Sequence, residues 1–369
     1  MTMTFEDMTL GVEEEYQIID PESRELTSYI SEFLEKGKRV FRDQVKPEFL
    51  QSQVEMGTEV CRDIKQVRRE VTRLRSMVSE IAEKSGHRIV AAGTHPFSRW
   101  QEQEITEKDR YRSLVADLQY VARRLLIFGM HIHVGIPDRE LRIDTMNQIG
   151  YFLPHILALS SSSPFWMGDN TGHKSYRSIV FSELPRTGIP DRFDSAAEYD
   201  HFIQTMIKTG CMDEPTKIWW DVRPHPRFPT IELRICDCIT RIDEVVAVVA
   251  LVRAVAAKLI TLRRENQSWR YYRRDLVAEN KWRAIKDGLD GNLVDFGKEE
   301  EVPVRDLIEE LLEILDDVVD PLGVREEIEY IRVMLEQGSS ADRQLSTFDE
   351  TGDLKAVVDQ LAEETVTGL

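Results

Sequence analysis

An α+β fold is predicted, with an antiparallel or mixed sheet, helices behind one face and a polar face open to ligand. Three observations carry it: three segments alternate with period two, helical runs lie between them, and a hairpin-like stretch, GNLVDFGKEEEVPV (291–304), comes late in the chain. The first strand is LGVEEEYQII (10–19). Leu10, Val12, Tyr16 and Ile18 share one face, Glu13, Glu15 and Gln17 share the other, and Glu14 breaks the alternation. The second is GMHIHVGI (129–136), where Ile132, Val134 and Ile136 oppose His131 and His133. The third is TIELRICD (230–237), where Ile231, Leu233 and Ile235 oppose Glu232, Arg234 and Cys236. Each strand is apolar on one side and carries reactive groups on the other.

Helices fill the intervals. Asp63 with Gln66 makes a capping-box start, and Ile64, Val67, Val71, Leu74, Val78 and Ile81 recur at helical spacing until Gly86. HRIVAAGTHPF (87–97) reads as a strand, and Leu114, Leu118, Val121 and Leu125 mark another helix. Ser195 with Glu198 opens a helix to about Lys208, and a long helix follows Asp243. The latter holds the most apolar stretch (245–262), which Arg253 and Lys258 interrupt, so it reads as a core helix, not a membrane span. Further helices are predicted over 269–287 and 305–336 and from Asp353 onward.

Composition narrows the function. The 369 residues hold 48 Lys+Arg against 66 Asp+Glu, a net charge of −18, which repels nucleic-acid phosphates and anionic membranes. Residues 291–369 carry 6 basic and 22 acidic residues, a net of −16, leaving −2 for residues 1–290. The first part is therefore free to accept an anionic ligand. This division predicts a catalytic α+β domain over 1–290 and an acidic, mainly helical segment over 291–369 packed on it. Four cysteines suit a reducing cytosol, and the acidic start lacks the pattern of an export signal. Cys236 and Cys238 read as buried thiols, because a structural zinc needs four ligands.

The polar strand faces suggest chemistry. Glu13 and Glu15 side by side repel each other unless a cation sits between them, and a divalent metal with oxygen ligands is the usual solution. His131 and His133 share a face at a spacing that suits metal ligation. Glu232 and Arg234 place an anion beside a cation; a cross-strand salt bridge is the alternative reading. In QVEMGTEVCRDI (53–64), Glu55 and Glu59 are candidates to complete a metal site. The loop SSSSPFWMGDNTGHKSYRS (160–178) ends in Lys174 and Arg177, and WWDVRPHPRFPT (219–230) supplies Arg223 and Arg227; such cations grip phosphate or carboxylate oxygens. Neither a Walker A spacing nor a nucleophile elbow is present.

The blocks LGVEEEYQIID, VEMGTEVCRDI, FGMHIHVGI, ALSSSSPFWMG and WWDVRPHPRFPTIELRICD occur in that order. Over most of residues 9–285 the chain thereby resembles the bacterial type 2 glutamate–cysteine ligases, the YbdK-like carboxylate–amine ligases. The resemblance implies a glutamine-synthetase-like fold, with a curved, mainly antiparallel sheet that binds ATP and Mg2+ or Mn2+. It implies that Glu13, Glu15 and Glu232 are metal ligands, joined by His131 or His133, with His131 favoured, and by Glu59. It assigns Arg234, Arg177 and Glu55 to catalysis, and Lys174, Arg177, Arg223 and Arg234 to the nucleotide or substrate anion.

The expected reaction is ATP-dependent activation of a carboxylate, the side chain of glutamate, as an acyl phosphate, followed by coupling to an amine such as cysteine. A phosphotransferase on the same fold acting on a guanidine or amine, a metal-dependent hydrolase, and a nucleotide-binding protein without catalysis are the competing expectations. The partners expected are small molecules, with neither nucleic acid nor membrane, in a cytoplasmic homodimer.

Overall fold

Alternation along Leu10–Ile19 places this strand at the centre of the sheet, because both its neighbours can cover an apolar face while the other face stays polar. In the computed structural model, which describes residues 4–41 and 44–369, the main sheet has seven strands. They are β1 (Leu10–Ile19), β2 (Val45–Pro47), β3 (Gln53–Gly57), β4 (Arg88–Val90), β5 (Met130–Gly135), β6 (Val222–Pro224) and β7 (Thr230–Leu233). Their order is β6-β7-β5-β1-β3-β2, with β4 also paired to β1, and every pairing in this sheet is antiparallel.

Register does the assembling. Val12 lies opposite Ile132, Leu10 opposite Val134, Tyr16 opposite Val54 and Leu233 opposite Ile132, so one face is a continuous apolar layer. Helices Ile64–Glu83 and Ile242–Arg264 pack against it. The second of these is buried along most of its length, Arg253 included, as expected for a core helix. Because each residue pair shares a face, the same register aligns Glu13 with His131, Glu15 with Glu55, Glu232 with His133 and Arg223 with Glu232 on the opposite side.

Glu14, out of step with the alternation, points into the apolar layer at 0% exposure. It survives there because Arg75, one helix away and equally buried, forms an ion pair with it, and Tyr16 Oη donates to Glu14 Oε2 at 2.7 Å. Arg75 Nη2 also donates to Ile239 O at 2.8 Å and Nη1 to Thr365 O at 3.3 Å. One guanidinium thus ties the central strand to the C-terminal helix.

Several boundaries differ from the sequence expectation. The third strand ends at Leu233, since Arg234 N–H turns to Asp221 O at 2.8 Å and Ile235 and Cys236 are both buried. The strand over 87–97 contracts to Arg88–Val90. The helix over 305–336 is two, Val304–Leu322 and Arg325–Gln337, divided at Gly323, whose φ of +66° ends a helix at no steric cost. Helices Arg139–Ile149, Leu153–Ser160 and Ser340–Thr351 carry no clear period and were not anticipated. The late hairpin pairs Asn292–Asp295 with Glu300–Pro303.

Residues 291–369 pack on the rest through apolar faces; most of their acids are exposed, while Asp295 and Glu327 are buried. Leu307, Ile308, Leu311, Leu315, Ile328 and Ile331 join the main core. Val357, Val358, Leu361 and Ala362 close on Ile19, Val90 and Phe165.

Candidate active site

The polar face of the sheet floors a cavity of about 360 Å³. Glu13 and Glu15 of β1, Glu55 of β3, His131 of β5 and Glu232 of β7 reach it from the strands, and Arg177, Arg223 and Arg234 from beside them. Phe181, Leu184, Leu125, Ile127 and Trp219 form an apolar wall.

At one end, ligand atoms of Glu13, His133 and Glu232 lie within 4.8 Å of one another. His133 Nδ1 is 3.2 Å from Thr230 Oγ1, which orients the ring, and its buried Nε2 makes no hydrogen bond and lies 3.8 Å from Glu13 Oε1. Two carboxylates and an imidazole nitrogen with no partner are a donor set that fits a divalent cation. His131, the histidine favoured from sequence, lines the cavity and has its Nδ1 3.2 Å from Glu13 Oε2, a hydrogen bond that holds the carboxylate, while His133 completes the cluster. Burial would raise the Glu13 carboxyl, but hydrogen bonds and charge from both imidazoles outweigh it and hold it well below the usual range. Burial drives the His131 ring down to about 4, aided by the charge of Arg234.

Glu232 is anchored from two sides. Arg223 grips it with Nε to Oε2 at 2.7 Å and Nη2 to Oε1 at 3.1 Å, and Arg234 Nη1 pairs with Oε1. Despite burial, these charges depress its carboxyl far below the ordinary value. Arg223 Nη1 also donates to Thr216 O at 2.9 Å and to Ile218 O. Most of its donors are therefore committed to the protein: Arg223, expected from sequence to bind the nucleotide or substrate anion, lines the cavity while it clamps Glu232. Arg234 keeps a buried Nε without a partner and lines the cavity.

At the other end, Glu15, Glu55 and Glu48 meet. Burial first and Glu48 second push the Glu15 carboxyl up to about 7, against Arg177 and the Gly129 N–H, which donates to Glu15 Oε2 at 2.6 Å. Burial, then Glu48 and Glu13, raise Glu55 well above its usual value. Such an excess of acid is the electrostatic mark of a place that awaits a cation. Glu48, Arg110, Tyr111 and His225 were missed by sequence reasoning; they sit in loops and a short helix where no periodicity signals a facing direction.

Two expectations are corrected. Lys174 is drawn away from the cavity, because the N–H groups of Lys174 and Ser175 both bond to Ile285 O, at 2.8 and 3.1 Å, and its Nζ pairs with Asp342 and lies 3.3 Å from Asp290. Arg177, on the helix that follows, faces the cavity instead. Glu59 is exposed: past Gly57 the chain runs antiparallel to β1 through Thr58 N to Val12 O at 2.9 Å and Cys61 N to Leu10 O at 2.8 Å, which leaves Glu59 outside.

The model of glutamate-cysteine ligase family 2 (GCS2) matches residues 9–360. A protein of Chloroflexus aggregans, provisionally named glutamate–cysteine ligase 2, is 55% identical over 361 residues, covering 98% of this chain and 93% of its own. One of Herpetosiphon aurantiacus with the same provisional name is 54% identical, covering 98% and 94%. Among solved structures, glutamate–cysteine ligase of Francisella tularensis, crystallised with AMP, superposes with a TM-score of 0.72 at 11% identity, over 98% of this chain and 89% of that one. A bifunctional glutathione synthetase of Pasteurella multocida gives 0.73 at 15% identity, over 98% and 53%. These last two share the fold, which is the glutamine-synthetase-like class expected. With nearly its whole length matched, and the acid, histidine and arginine strands aligned on one face, the chain belongs to glutamate–cysteine ligase family 2.

Proposed function

We propose that this protein is an ATP-dependent carboxylate–amine ligase that activates the side-chain carboxylate of glutamate as an acyl phosphate and couples it to an amine such as cysteine. The observation that supports this most is the convergence of Glu13 and Glu232 with Arg234 and Arg177 in one cavity, with His133 grouped against the two acids. Its relatives carry the glutamate–cysteine ligase name, and a protein of the same fold was crystallised with AMP.

Glu13, His133 and Glu232 would hold Mg2+ or Mn2+, and Glu15 with Glu55 would hold a second cation or the ammonium of the incoming amine. A bound divalent metal supplies the positive charge that lets a triphosphate and a carboxylate approach. Arg234, oriented by Glu232, and Arg177 are the guanidinium groups placed to bind the transferring phosphoryl group and the substrate carboxylate. Arg223 keeps Glu232 in place. Glu55, its proton affinity raised by its neighbours, is positioned to take the proton that the attacking amine sheds. The apolar wall of Phe181, Leu184 and Trp219 limits water that would hydrolyse an acyl phosphate. The acidic net charge and the cysteine usage support a cytoplasmic enzyme of small molecules; the exposed sheet edges and the family resemblance are the ground for a homodimer.

The test is ADP release over a panel of carboxylate and amine pairs with Mg2+, with hydroxylamine added to trap an acyl phosphate. Glutamate-dependent hydroxamate and amine-dependent ADP are expected. Turnover without ATP, or a stable phosphorylated amine as product, replaces the ligase with a hydrolase or a kinase.

A further inference from the structure

Four consecutive serines, Ser160–Ser163, are all buried, and buried hydroxyls need partners. The first two turn back to the helix they end, both donating to Leu157 O, at 3.3 and 2.8 Å. The next two do something else. Ser162 N donates to Asp237 Oδ2 at 2.9 Å, Ser163 Oγ donates to the same oxygen at 2.7 Å, and Ser175 Oγ donates to Asp237 Oδ1 at 2.8 Å. Asp237 is 0% exposed. Its countercharge is Arg177, whose Nη1 is 4.0 Å from Oδ1.

Ser163 joins the two residues a second time, since its Oγ also accepts from Arg177 N at 3.0 Å. Arg177 Nη2 and Nη1 donate to Arg234 O at 3.2 Å and Ile235 O at 3.4 Å, and its buried Nε has no partner. Two glycines make the space. A Cβ on Gly93 would lie 2.8 Å from Asp237 Cγ, and one on Gly129 would lie 2.3 Å from Arg177 Nη2. A buried ion pair contributes little to stability by comparison with apolar packing of the same volume. A pair held by three hydrogen bonds, with glycine at both points of contact, is better explained by what its cation faces.

We infer that Asp237 is a positioning residue: with Ser163 and Ser175 it locks the Arg177 guanidinium against Gly129, so that Arg177 presents a fixed cation to the anionic substrate in the cavity. The inference rests on the ligase reading for the identity of that anion, not for the coupling between Asp237 and Arg177.

A double-mutant cycle tests it on the full chain. Affinity for ATP with Mg2+, and for glutamate, is measured by calorimetry for the wild type, Asp237→Asn, Arg177→Met and the double variant; ADP release and thermal midpoint are followed in parallel. Each single change is expected to weaken one and the same anion about tenfold, and the double variant to be no weaker than Arg177→Met alone. ADP release of Asp237→Asn should fall through KM for that anion more than through kcat. Additive losses overturn the inference, as does wild-type affinity for both anions in Asp237→Asn. Should Asp237→Asn fail to fold, Ser163→Ala removes the hydrogen bonds that Ser163 Oγ donates to Asp237 Oδ2 and accepts from Arg177 N and keeps the charge, and a loss of about threefold that vanishes in the Arg177→Met background is then required. Failure of the ligase reading shows separately, as a wild type that releases no ADP with any carboxylate–amine pair while the calorimetric cycle still reports.

Discussion

Glu13, Glu14 and Glu15 are consecutive on one strand and meet opposite fates. Glu14 turns into the apolar layer and finds a complete set of partners in Arg75 and Tyr16. Glu13 and Glu15 turn to the other face, where their neighbours are imidazoles with a bare nitrogen and other carboxylates. Charge is withdrawn from water on both faces, wholly at Glu14 and in part at Glu13 and Glu15. What separates them is whether the protein itself neutralises that charge: a complete set of partners makes structure, an incomplete one makes a binding site.

The largest effect that sharpens this contrast is on turnover. Glu13→Gln or Glu232→Gln removes a charge but no volume, so ADP release should drop about a thousandfold, roughly 4 kcal/mol in the barrier; the thermal midpoint should stay within a few degrees of wild type in Glu13→Gln and fall in Glu232→Gln, which leaves Arg223 and Arg234 without their buried counter-ion. Normal ADP release at saturating Mg2+ in either variant would break the assignment.

Glu14→Gln should do the reverse. It leaves Arg75 buried without its counter-ion, which costs about 3–5 kcal/mol, read as a lower denaturation midpoint, while any protein that remains folded still binds ATP. A wild-type midpoint would mean that the pair is dispensable and the contrast false.

His95 extends the comparison to a buried base that the fold wants neutral. Its ring accepts from Ser98 N at 2.9 Å through Nδ1 and bonds Arg24 O at 2.8 Å through Nε2. Burial drives it down to about 4 from an ordinary 6.5. Between these values the unfolded chain binds more protons, so stability is complete above pH 6.5 and falls as pH drops toward 4, by up to about 3 kcal/mol. Denaturant titrations at pH 7 and pH 4.5 check this, and in His95→Gln the pH slope should flatten.

The smallest effect belongs to the residues the structure moved out of the site. Lys174→Met should cost about 1–2 kcal/mol through its pair with Asp342 and leave kcat and KM within about twofold. A larger kinetic loss would return Lys174 to the nucleotide.

Much of the site was legible because a strand has period two. Once 10–19 and 129–136 are strands, Glu13 shares a side with Glu15 and His131 with His133 whatever the fold, and Glu232 takes its side from the third strand; Arg234 lies just past the end of that strand, so its place in the cavity is not owed to the period. Glu48 was hidden, since a loop has no period from which a direction can be read, and Arg110 was hidden because it stands in the first turn of helix Asp109–Leu118, ahead of the apolar positions Leu114 and Leu118 that mark its period. Glu14 could be seen as an exception but not explained, because Arg75 sits 61 residues away on a helix whose pattern marks only apolar positions.

By itself, then, the order of residues determined which side chains each strand offers, the apolar weight of the helix after Asp243, and the concentration of net negative charge in the last segment. Only the tertiary structure decided that Glu232 lies across from His133 rather than His131, that Lys174 leaves while Arg177 stays, and that Asp237 stands behind that arginine. The reason is physical. Periodicity is a local property of a backbone, whereas register, loop course and the partner of a buried charge are settled by contacts between segments the chain brings together from far apart.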